Sequence, residues 1–69
     1  MEFWLANIDR CGLNLIMVDE SEDLEYYLNG RDEWELMSVE QKRNTKYIKT
    51  LQFETCKEAI NNFELQCKL

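Results

Sequence analysis

Alternation of side chains dominates the first third of the chain. In EFWLANID, residues 2–9, Phe3 and Leu5 fall on one side of an extended segment and Trp4, Ala6 and Ile8 on the other. The segment therefore reads as a strand with apolar side chains on both faces. Asp9, Arg10, Cys11 and Gly12 supply turn residues, and LNLIMV, residues 13–18, follows as a second strand through its apolar and β-branched content. Two such neighbours predict an antiparallel hairpin. Because both strands are apolar on each face near their centres, a helix or a partner has to cover the second face.

Near the C-terminus the period changes from two to three and four. Cys56, Ala59, Ile60, Phe63 and Cys67 fall within one narrow stripe, with Thr55 as an N-cap oxygen and Glu58 at the spacing of a capping box, so residues 55–67 are expected to be a helix laid on the sheet. Upstream, KYIKTLQF, residues 46–53, supports a strand. EWELMSV, residues 33–39, is a weaker candidate for its neighbour, with the polar QKRNT, residues 41–45, joining the two.

The middle segment admits two readings. As a helix it is capped by Asp19 or Ser21, places Leu24, Tyr27 and Leu28 on one face, and stops at Asn29 and Gly30. As a hairpin it turns at the same Asn29-Gly30 pair. A two-residue turn sets Leu28, Tyr26 and Leu24 against Arg31, Glu33 and Glu35, an apolar side against a charged one. A three-residue loop sets Tyr26 against Trp34 and Leu24 against Leu36 but Glu25 against Glu35, a like-charge pair. The helix avoids both mismatches and is the preferred reading. It gives the order ββαββα: an α+β fold with one small, mostly antiparallel sheet packed with one or two helices, in a single domain over residues 1–69.

Charge changes the picture of what such a fold does. The net charge is −6, yet 45% of residues are hydrophobic, which is the composition of a folded chain rather than of an acidic disordered tail. Residues 19–35, DESEDLEYYLNGRDEWE, hold eight carboxylates and one arginine. In the helical reading Glu22 and Tyr26 point away from the apolar face, with Asp23 and Glu25 on the flanks, and carboxylates three or four apart stand about 5–6 Å apart. That spacing resembles successive phosphates of a nucleic acid. Glu22, Asp23, Glu25, Tyr26, Asp32, Glu33 and Glu35 are accordingly the candidate protein-binding residues, suited to a basic surface, with rim charges steering encounter and the aromatic anchoring it. A second, basic patch gathers Lys42, Arg43, Lys46 and Lys49 around the single acid Glu40. It is read as an internal counterweight to the acidic region, a local RNA or DNA contact, or a secondary patch for docking an acidic protein partner.

Catalytic equipment is not visible. The chain has no histidine, the commonest general base and metal ligand. Its three cysteines, Cys11, Cys56 and Cys67, form no paired motif, and eleven helical residues put the last two about 16 Å apart, too far for one zinc ion or one disulfide. DESED fails as a calcium loop, because a loop opening at Asp19 has Leu24 where the turn glycine belongs and Gly30 where the last carboxylate belongs. No catalytic, cofactor-binding or metal residue is assigned, and the chain is read as a non-enzyme.

The odd cysteine count, the absence of a signal-peptide pattern and a longest apolar run of only LIMV point to a cytoplasmic location with no membrane span. Net negative charge disfavours direct nucleic-acid binding. The expected function is a small acidic protein-binding module, an inhibitor docking on the basic surface of a nucleic-acid-handling protein. In size and charge alone it is similar in general style to the small inhibitors that bacterial viruses direct at nucleases, polymerases and RNA-guided complexes. The alternative is a homo-oligomeric structural or accessory protein, a homodimer for example, motivated by Leu65 and Leu69, which fall off the helical stripe.

Overall fold

A computed structural model describes residues 1–8 and 12–67. In chain order its elements are β1 (Glu2–Ile8), β2 (Leu13–Asp19), β3 (Leu24–Leu28), β4 (Trp34–Leu36), α1 (Val39–Asn44), β5 (Thr45–Leu51) and α2 (Cys56–Cys67). The five strands form one antiparallel sheet in the order β4-β3-β2-β1-β5. The α+β class and the small antiparallel sheet agree with the reading of the sequence. The order ββαββα does not, because the third element is a strand and an additional helix precedes β5.

The preferred helix over residues 21–29 is corrected to the hairpin β3–β4, in a register that neither short turn provides. Tyr26 stands opposite Leu36, Tyr27 opposite Glu35 and Leu28 opposite Trp34. A five-residue connection, 29–33, makes this register: it removes the Glu25–Glu35 clash and pairs Leu28 with an aromatic. The Asn29 side chain organises the loop by accepting from the amides of Arg31 (2.8 Å) and Glu33 (3.0 Å), while Asp32 turns the chain at φ 58°, a left-handed conformation that Asp tolerates better than most residues. Strand propensity in LEYYL and cross-strand pairing with β2 override the local helical signal.

β4 also has a different neighbour from the one expected. It pairs with β3, and β5 pairs with β1 on the far side of the sheet. The polar stretch read as a joining loop is α1, which starts at a reciprocal capping box: Ser38 Oγ accepts from the Gln41 amide (3.1 Å) and Gln41 Oε1 accepts from the Ser38 amide (2.9 Å). The segment 37–44 carries the chain from one sheet edge to the other. The expected turn over Asp9, Arg10 and Cys11 lies outside the described residues. Gly12 leaves it at φ 85°, where a side chain would be strained.

Both faces of the sheet are apolar, and each is covered from within the chain. On one face Phe3, Leu5, Leu15, Leu28, Leu51 and Ala59 are buried, with Met17, Trp34, Phe53, Cys56, Ile60 and Phe63 packed around them. This is the face under α2, with Phe3 at the centre of an aromatic group: its ring lies 6.1 Å from Trp34 and 6.0 Å from Phe53. Trp34 Nε1 donates to Cys56 Sγ (3.0 Å), tying β4 to the first turn of α2. At that turn Thr55 Oγ1 accepts from the Glu58 amide (3.2 Å), as expected of a cap, while the Glu58 carboxylate reaches back to Glu54 rather than to Thr55. Cys67, assigned to the apolar stripe, is exposed at the helix end.

On the other face Ala6, Ile8, Ile16 and Met37 are buried, flanked by Trp4, Val18 and Tyr27. The crossover segment supplies Met37 as the lid of this second cluster. Fully buried Phe3, Leu15 and Ile16 each contribute about 1.5–3 kcal/mol of transfer free energy.

Candidate functional site

The acidic residues follow from the hairpin. Asp19 begins the β2–β3 turn by accepting from the Ser21 amide (3.1 Å) and hydroxyl (2.7 Å). The Ser21 hydrogen bond holds the Asp19 carboxyl below its ordinary value. Asp23 closes this turn at φ 55°. β3 then runs five residues to the 29–33 loop, so Glu22 and Asp23 stand at one end of the strand and Asp32 and Glu33 at the other, about 17 Å away at 3.3 Å per residue.

Side-chain direction divides the expected surface. Within β3, Tyr26 pairs with Met17 and Leu36 on the side that α2 covers, and it is half-buried. Glu25 points to the opposite side and accepts from Tyr47 Oη at 2.9 Å. The helical juxtaposition of Glu22 with an exposed Tyr26 is therefore not formed, because a strand changes sides every residue. Tyr27 and Leu28, placed together in the helical reading, likewise belong to different clusters.

The fold engages some of the carboxylates and leaves others. Glu35 Oε2 accepts from Tyr27 Oη (2.8 Å) and Asn29 Nδ2 (3.1 Å), and the Tyr27 bond, followed by the Asn29 bond, lowers its carboxyl pKa. Glu25 spans the sheet to Tyr47 of β5. Partial burial of that phenol, then the Glu25 hydrogen bond and charge, push the Tyr47 pKa well above its ordinary value. Tyr47 also stacks edge-on against Trp4, with centroids 4.3 Å apart. The Trp4 indole N–H is buried with no acceptor among the described residues. Asp23 and Asp32 take left-handed backbone conformations at the two turns, but their exposed carboxylates have no partner among the described residues. Glu22 and Glu33 are exposed, and among the described residues their side chains have no partner. Glu33 and Glu35 line an open cleft of about 500 Å³ with Asn29, Gly30 and Arg31.

The basic patch lies across the sheet. Lys42 and Arg43 end α1, where cations complement the helix dipole. Lys46 and Lys49 are exposed on β5. Three residues apart in a regular strand, these two would point to opposite faces. The register shift between Leu5 and Ala6 inserts Ile48, so Lys46 stands opposite Asn7 and Lys49 opposite Leu5, on the same side. The sequence gives no local sign of this bulge.

Among the described residues no three of His, Cys, Asp or Glu stand together as metal ligands. Cys56 and Cys67 are free thiols, and Cys11 lies outside the described residues. No described helix is long and apolar enough to cross a membrane. Comparison with models of known protein families, with curated proteins and with solved structures finds no match.

Proposed function

We propose that the chain is a non-catalytic protein-binding module whose β3–β4 edge docks on a basic surface of a nucleic-acid-handling protein. The observation that carries this reading is a set of exposed carboxylates, Glu22 and Glu33 among them, whose side chains have no partner among the described residues. These two stand at the two ends of one rigid strand. Exposed, mutually repelling charges contribute nothing to folding, whereas on approach to a cationic groove they raise the association rate. The cleft beside Glu33 and Glu35 offers two carboxylates to a single lysine or arginine side chain, with the amide-buttressed loop holding them in place. Tyr26, half-buried on the α2 side, is not the anchor of this surface; the carboxylates carry recognition. The partner's site is one that otherwise holds phosphates, and the compartment is the cytoplasm.

Paired affinity capture tests the proposal, with wild-type and Glu22→Lys/Glu33→Lys baits in about 50 mM salt, where surface charges are weakly screened. The expected result is a basic nucleic-acid-handling protein retained by the wild type, absent from the variant and released by excess single-stranded DNA. Equal retention by both baits, or a partner that DNA does not displace, sinks the reading.

A further inference from the structure

We infer that the basic β5 edge is a second docking surface, whose occupant is the acidic β3–β4 edge of another copy of this chain. β4 and β5 are the two free edges of the sheet, and they carry opposite charge at matching spacing. The bulge at Ile48 sets Lys46 and Lys49 opposite residues two apart on β1, hence about 7 Å apart on one side. Glu33 and Glu35, two apart in the hairpin, repeat the same interval. Each pair has an exposed aliphatic neighbour in sequence, Ile48 at 54% and Leu36 at 56%, Leu36 lying on the Tyr26 side of β4 and Glu35 on the Tyr27 side. A strip of opposite charges beside an apolar contact suits a small, transient interface. The contact runs through side chains, because lysines and a bulge on an edge strand oppose extension of the hydrogen-bonded ladder itself.

Joining one edge to the other is heterologous: each copy keeps one free acidic and one free basic edge, and association continues rather than stopping at a dimer. Net charge sets a distinctive salt dependence. Screening reaches about 30 Å in 0.01 M salt, 10 Å in 0.1 M and 3 Å in 1 M, against molecular extents of 29 × 28 × 22 Å. In the most dilute salt the −6 charges of neighbouring copies repel across a whole molecule. Near 0.1 M that long-range repulsion is screened while the contacting pairs still attract. By 1 M the pairs are screened too.

Sedimentation equilibrium of the full chain at several hundred micromolar tests this. The weight-average mass is expected to exceed 8.4 kDa, to rise with concentration, and to be greatest near about 0.1 M salt, lower at about 0.01 M and 1 M. Lys46→Gln/Lys49→Gln and Glu33→Gln/Glu35→Gln are each expected to remain monomeric alone and to form a complex of two chains, and no larger, when mixed. Lys57→Glu, which lowers the net charge by the same two units as the double lysine variant but lies on α2, is expected to associate as the wild type does.

A monomer in every salt, a mass that grows steadily toward 1 M, or association lost equally in Lys57→Glu overturns the inference. So does self-association retained by the double lysine variant, which changes only exposed residues and is decisive by itself if the glutamate variant is unstable. No basic partner takes part, so this outcome is independent of the capture experiment.

Discussion

β3–β4 and β5 close the same sheet from opposite sides, but they are held differently. Each contributes one buried residue to the cluster under α2, Leu28 from β3 and Leu51 from β5. Beyond that leucine, the hairpin is held by pairing with β2, by Trp34 against Phe3 and Cys56, and by polar side chains: Asn29 organises its loop, and Tyr27 and Asn29 bind Glu35. β5 is fixed by pairing with β1, by the Trp4–Tyr47 stack and by a capped helix leading into it. On the acidic edge, therefore, charge is partly consumed by structure, through Asp19, Glu25 and Glu35, while the exposed carboxylates of Glu20, Glu22, Asp23, Asp32 and Glu33 have no partner among the described residues. On the basic edge Lys46 and Lys49 have no side-chain partner among the described residues; lysines on an edge strand oppose further pairing and present charge outward.

The sharpest way to break this comparison is to remove the leucines. Leu28→Ala and Leu51→Ala are each expected to cost about 2–4 kcal/mol in denaturant unfolding, since both leave a cavity in one shared cluster. If one cost were below about 1 kcal/mol, that edge would not be tethered as described. Tyr26→Ala comes next, at about 1–2 kcal/mol, because its ring is half-buried between Met17 and Leu36. The helical reading would have put that cost lower, with the ring in solvent.

The fold class and several of its elements were legible, for reasons that also explain what was not. Alternation in residues 2–8 and the stripe of Ala59, Ile60 and Phe63 are direct imprints of burial, and they located β1 and α2. The Asn29-Gly30 turn signal was legible too. The five-residue loop was not, since it depends on one asparagine oxygen taking two amides and on Asp32 adopting positive φ, neither of which leaves a periodic trace. α1 was missed because it has no apolar stripe and no buried residue; its only sign was the Ser38–Gln41 spacing. The acidic region remained together in space because sequence neighbours stay close in a hairpin. Which side each carboxylate faces changed with the period, and Tyr26 and Glu25 separated.

Smaller effects are expected with pH, and each edge has its own limb. The raised Tyr47 pKa means that above pH about 10 the unfolded chain loses its phenolic proton before the folded one does. Stability is therefore fully present below that pH and falls as pH rises beyond it. Tyr47→Phe is expected to flatten this alkaline decline in thermal melts. For Glu35 the shift is downward, so its contribution is present above the ordinary carboxylate range and is lost on acidification, and Glu35→Gln is expected to flatten the acid limb. A steep limb retained in either variant would assign the titration to another group.

The smallest structural effect is expected at Glu22 and Glu33, the residues proposed to carry docking. Glu22→Lys/Glu33→Lys is expected to change unfolding free energy by no more than about 0.5 kcal/mol, or to stabilise slightly by relieving repulsion. The decisive measurement is the affinity of this variant and of the wild type for the captured basic partner, by calorimetry at about 50 and 300 mM salt. Wild-type affinity is expected to fall at least tenfold across that range, with the variant already at least tenfold weaker in low salt. An affinity that is flat with salt, or equal for the two chains while both are folded, would contradict docking through the unused carboxylates of the β3–β4 edge.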